Sequence, residues 1–214
     1  YAPKRLAAPI GYVVDLLAAI PSVVFGLWGG TMLAPLIAPV WQVIASVLNL
    51  LPFWTVRASA TGRSVATASA VLAVMILPII TAVSREIFKQ TPRLHEEAAL
   101  ALGATRWETI RLAVLPFGRS GVISAAMLGL GRALGETMAV LMILSPGLLF
   151  SFQIFDGGQQ QTIAAYIASM FPESVGLAVN VLIGVGLALF LITMLVNMAA
   201  RWIVSRRAEF SGAN

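Results

Sequence analysis

The sequence predicts an all-α fold, a polytopic transmembrane helix bundle, and three observations predict it. Of 214 residues 59% are hydrophobic and only 11% charged, where a soluble domain carries about a quarter charged residues. Mean hydropathy is +0.91. Four apolar stretches reach the roughly 20 residues that a helix needs to cross a bilayer. The cations gather between these stretches, with no basic stripe interleaved with aromatics, so a net charge of +5 does not point to nucleic acid. Without cysteine there is no disulfide scaffold and no thiolate metal site.

The first stretch runs from about Ile10 to Val40, with interruptions expected at Pro21, Gly29-Gly30 and Pro35. Proline at position 21 predicts a kink inside this span, because it removes a backbone donor and clashes with the preceding turn. The second runs from about Ser64 to Val83, the third from Ser120 to Leu144, and the fourth from Val175 to Ala200. Trp28, Trp41, Trp54 and Trp202 fall near span ends, where tryptophan anchors at the lipid–water boundary. Asp15 near the start of the first span is expected to pair with Lys4 or Arg5. The loop Phe150–Glu173 is expected to be an external turn region with a short helix over Thr162–Met170.

Orientation follows from cation bias. Lys4 and Arg5 precede the first span, six cations from Arg85 to Arg119 separate the second and third, and Arg201, Arg206 and Arg207 follow the fourth. The two other loops hold few or none. The N-terminus, the middle loop and the C-terminal tail, 204–214, are therefore expected in the cytoplasm.

Within the middle loop, residues 91–117, local chemistry predicts two short helices in an angle. Thr91-Pro92 is a suitable helix start, and Glu96 and Glu97 suit the positive end of the helix dipole. Gly103 permits a turn or a close backbone approach. Thr105 with Glu108 three residues on is a capping-box pattern for the second helix, and Pro116 is expected to end it. His95, the lone histidine, has no ligand partners in sequence and is expected to be solvated.

Glu97-Ala98-Ala99, three residues, Gly103, nine residues, then Ala113-Val114-Leu115-Pro116 resembles the EAA loop of importer-type ABC permeases, with Ala113 where the pattern favours Ile. That resemblance implies docking onto a separate ATP-hydrolysing subunit. An amphipathic loop that only caps its own bundle is the alternative from periodicity alone.

Arg132 and Glu136 stand inside the third stretch. A charge at bilayer depth costs about 2.5–3.5 kcal/mol or more, so it is retained for a partner or a pathway. Four residues apart on a helix, the two are placed to pair, and Gly131 to Gly135 has the spacing that lets another helix approach closely. Two readings stay open: a packing salt bridge, or a cation that meets an anionic solute. The segment Gly131-Arg132-Ala133-Leu134-Gly135-Glu136-Thr137-Met138-Ala139-Val140 is similar to the signature of phosphate-specific ABC permeases. Ile20-Pro21-Ser22-Val23-Val24-Phe25-Gly26 and Leu115-Pro116 through Arg119-Ser120-Gly121 fit the same family, in its C-type subunits.

This resemblance covers nearly the whole chain and implies a type I importer permease domain over 1–203. The resemblance implies two further spans ahead of Tyr1, so the chain is expected to be an N-terminally truncated six-span subunit. It also implies a pathway through Arg132, Glu136 and Thr137, and partners in a homologous A-type permease, two ATP-binding subunits, an extracytoplasmic phosphate-binding protein and membrane lipid. ATP and Mg are then used by the partner and no cofactor is bound by this chain, which carries no Walker A pattern. The nearest rival is a permease for another oxyanion, sulfate or molybdate. A proton-coupled secondary transporter would not need the EAA-like loop, and a membrane hydrolase would need a denser set of catalytic groups.

Overall fold

A computed structural model describes residues 4–50, 56–145, 147, 151–157 and 160–208, and every regular element among them is helical. The first helix, α1 (Lys4–Ala18), ends ahead of Pro21. Next come α2 (Ser22–Trp28) and α3 (Ala34–Leu48), joined by a π-helical segment, Gly29–Leu33. Then follow α4 (Val65–Lys89), α5 (Arg93–Ala101) and α6 (Arg106–Thr109). A second π segment, Ile110–Val114, leads without a break into α7 (Leu115–Leu134). The chain continues through α8 (Met138–Ile143), α9 (Ile163–Met170) and α10 (Leu177–Ala208).

Four helical runs are long and apolar enough to cross a membrane: Ser22–Leu48, Val65–Lys89, Arg106–Leu134 and Leu177–Trp202. The number agrees with the sequence expectation, but two spans are placed differently. Pro21 does not kink the first span; it separates α1 from α2, since its missing N–H falls where a helix start has no intrahelical acceptor to lose. The expected interruptions at Gly29-Gly30 and Pro35 are absorbed by the π segment. Pro116 likewise does not end the second loop helix. In both places a π turn closes one residue before the proline, with Ala34 N–H donating to Gly29 O and Leu115 N–H donating to Ile110 O. The wider turn takes up the donor and the space that the proline ring denies, so the helix runs on.

Two compact units are present, built from Tyr1–Ala18, Ile76–Arg132 and Thr193–Asn214, and from Ala19–Met75 and Ala133–Ile192. In the first, glycines on α7 admit side chains of α4. A Cβ at Gly121 would lie 2.6 Å from Ile87, and one at Gly129 would lie 2.9 Å from Ile80. Asp15 pairs with Arg85 at 3.4 Å rather than with Arg5. An i,i+10 partner on one helix lies far along the axis, whereas α4 brings Arg85 alongside. Both side chains are about half exposed, so the pair adds little stability.

In the second unit, α2 packs closely against α8: a Cβ at Gly26 would stand 2.6 Å from Ala139 Cα. Gly29 admits Val71 and Ile143, and Val71, Met75, Val140 and Ile143 are fully buried around this contact. Where lipid is as apolar as the side chains, such close approach of thin faces is what holds helices together. Trp41 is expected at the lipid boundary but is tied into this unit. Its Nε1–H donates to Thr67 Oγ1 at 2.8 Å, and its ring lies 5.3 Å from that of Phe155. Trp28 and Trp202 are exposed; Trp54 lies outside the described residues.

Candidate functional site

Around the Glu97–Gly103 sequence, hydrogen bonds explain the spacing. Gly103 has φ +84°, the left-handed conformation that glycine adopts without a side-chain penalty. Gly103 N–H donates to Leu100 O at 3.0 Å and Ala104 N–H donates to Ala99 O at 3.1 Å. These two bonds are a Schellman closure of α5, which needs a residue at positive φ four places after Ala99. A Cβ at Gly103 would meet nothing within 4 Å, so the turn, and not close packing, is what selects glycine.

Thr105 then starts α6 with a full capping box: its N–H donates to Glu108 Oε2 at 2.7 Å, and Glu108 N–H donates to Thr105 Oγ1 at 3.4 Å. Thr109 and Val114 are buried beneath the loop. Glu97 and Ala98 are exposed on α5, Ala99 is half-buried, and Leu115 and Pro116 are exposed on the α7 side. Leu102 and Trp107 are 90% and 68% exposed, a large apolar offering for a loop between two spans. His95 is exposed, as expected.

Arg132 and Glu136 do not share a continuous helix. The α7 helix ends at Leu134, and Gly135, Glu136 and Thr137 are non-helical before α8 begins. The i,i+4 geometry that pairing required is lost with that break, and no ion pair of either residue is present among the described residues. Glu136 instead is buried, and its Oε1 accepts from Ala139 N–H at 3.2 Å, capping the start of α8. Thr137 is half-buried, and its carbonyl accepts from Leu141 N–H at 3.0 Å.

Arg132 is exposed and lines a cavity of about 740 Å³ within the first unit. Ser124, Met127, Leu128 and Gly131 of α7 form its one wall with Arg132; Asn197, Ala200 and Arg201 of α10 form the other. A Cβ at Gly131 would meet nothing within 4 Å among the described residues, so within this chain the glycine borders open space. Asn197 was not singled out by sequence reasoning, and Arg201 was read there only as a cation that sets orientation. Their i,i+4 spacing at the end of an otherwise apolar helix is the signal that marks them, but it does not reveal which helix they face.

The sequence pattern of the binding-protein-dependent transport system inner membrane components matches residues 1–209. This chain belongs to that family. Together with its four apolar helices, membership makes it a multi-pass membrane protein with an all-α permease fold. This permease chain is 53% identical over 216 residues to a Mycobacterium tuberculosis protein named phosphate transport system permease protein PstC 2, covering 98% of this chain and 65% of the other. It is 51% identical over 213 residues to the Mycobacterium leprae phosphate transport system permease protein PstC, covering 98% and 66%. With the protein of that name from Mesorhizobium japonicum it shares 39% identity over 215 residues, covering 99% and 65%. The permease chain thus spans about 65% of the length of these curated relatives. No solved structure matches it.

Proposed function

We propose that this chain is the membrane-spanning permease subunit of an ATP-driven importer that moves inorganic phosphate across the cytoplasmic membrane by alternating access. The observation that carries this reading is 53% identity across 98% of the chain to a phosphate transport system permease. Arg132 supports it: an exposed guanidinium on a cavity wall, without an ion pair among the described residues, suits a passing oxyanion better than a packing role. Glu136 and Thr137 shape the adjacent break in the third span. Binding at Arg132 has to be transient, because a pathway that holds its ion tightly does not conduct.

On this proposal residues 1–203 are the permease domain, 91–117 the loop that meets the ATPase, and 204–214 the tail, with loop and tail cytoplasmic. The partners are a homologous A-type permease, two ATP-binding subunits that use ATP and Mg, and an extracytoplasmic phosphate-binding protein. The loop of Glu97, Ala98, Ala99 and Gly103, continuing to Leu115 and Pro116, carries the closure of the ATPases into the spans. The rigid Schellman and capping-box joints suit it to transmit movement without absorbing it.

The test is reconstitution of the whole transporter in liposomes with its companions, followed by ATP-dependent uptake of radiolabelled phosphate. Uptake is expected, with competition by unlabelled phosphate and none by sulfate or molybdate. Competition by sulfate at equal concentration would assign the permease to another oxyanion.

A further inference from the structure

We infer that the α7–α10 cavity is a two-arginine site for a phosphate group, in which Arg201 and Asn197 complete what Arg132 begins. Three observations lead there. Ser124, Met127, Leu128, Gly131 and Arg132 recur at i, i+3, i+4, i+7 and i+8, which is one face of α7; Asn197, Ala200 and Arg201 recur at i, i+3 and i+4, one face of α10. Two cations therefore line one cavity from opposite walls, and no carboxylate is among the residues lining it. Neither Arg132 nor Arg201 has an ion pair among the described residues.

The available donors select the ligand chemistry. Ser124 spends its hydroxyl hydrogen on Ser120 O at 3.0 Å, so the donors left facing the cavity are the Asn197 amide and the two guanidiniums. A guanidinium is a planar fork that matches the oxygens of phosphate two at a time. A tetrahedral phosphate group can present separate oxygen pairs to two forks on opposite walls, which a planar carboxylate cannot. Met127, Leu128 and Ala200 supply the apolar part of the lining beside these donors, and the cleft stays open to solvent on one side. At about 740 Å³ the cavity admits either a hydrated phosphate ion or the phosphodiester of a lipid headgroup.

The proposal rests on the transport reading for Arg132 and adds a binding partner to it. Its test uses the absence of cysteine from this chain. In the assembled transporter, with cysteine-free companions, Ser124→Cys places one thiol on the cavity wall, and its rate of maleimide labelling is followed without ATP. Inorganic phosphate in zwitterionic bilayers is expected to slow labelling about threefold at about twice its dissociation constant, with chloride at equal ionic strength having no effect. Protection that needs phosphatidylglycerol in the bilayer and ignores inorganic phosphate would assign the phosphate group to lipid. Under either source Arg201→Gln should abolish protection and Arg201→Lys should retain part of it. No protection by either source, or protection unchanged in both Arg201→Gln and Arg201→Ala, would overturn the site. Labelling is read without transport, so the two ideas fail separately. Normal uptake by Arg132→Ala would remove the pathway reading, whereas intact protection in the Arg201 variants would remove this one.

Discussion

At Arg132 and Glu136 two charges four residues apart have separate tasks. The break after Leu134 leaves the guanidinium on a cavity and turns the carboxylate into a cap on Ala139 N–H. Arg132→Ala is expected to lower the initial rate of phosphate uptake about tenfold to a hundredfold, the loss of one or two charge-assisted hydrogen bonds, with assembly of the transporter unchanged. Glu136→Ala should instead lower thermal stability by about 1 kcal/mol, the usual cost of a lost cap; Glu136→Gln keeps the acceptor and should be close to neutral. The double change Arg132→Ala with Glu136→Ala should sum the two defects. Recovery of uptake in the double variant would mean that the residues act as a pair after all.

Among the elements, the α5–α6 corner shows how a sequence spacing becomes a rigid joint. Its glycine is required by φ +84° alone, so Gly103→Ala should cost about 1–2 kcal/mol of local strain and Gly103→Asn less, measured by thermal unfolding of the purified complex. Glu97→Lys alters an exposed side chain and should leave unfolding unchanged while preventing co-purification of the ATP-binding subunit; normal association would remove the docking role. The α2–α8 contact makes the opposite demand on its glycine. With a Cβ at Gly26 only 2.6 Å from backbone at Ala139, Gly26→Val must push the helices apart, and overpacking of this kind costs about 1–3 kcal/mol. A melting temperature equal to that of the unchanged protein would show that the contact yields.

For the whole molecule, orientation is the property on which the proposed mechanism depends. Because the chain has no cysteine, single cysteines report sidedness directly. Membrane-impermeant maleimide applied to sealed cells should label cysteines placed at Gln42 and Gln160 and should spare those at Thr105 and Ser205. Labelling at Thr105 from outside would invert the arrangement and detach the loop from any cytoplasmic ATPase.

Composition and hydrophobic runs by themselves determined an all-α membrane protein with four helices, among the described residues, long and apolar enough to cross a bilayer, and local hydrogen-bonding grammar determined the capping box at Thr105–Glu108 and the α9 helix after Thr162. These features depend on residues within one or two turns of each other, which is the range that sequence spacing describes. Tertiary structure decided the rest. Asp15 meets Arg85 and not its own helix neighbour, Trp41 turns inward to Thr67, and Arg201 joins Arg132 across a cavity. The helix through Pro116 continues because a π turn precedes it, and the helix through Gly135 stops because Glu136 caps the next one. Which face of a helix is turned to which neighbour is a property of two segments far apart in the chain, and periodicity along either one carries no record of the other.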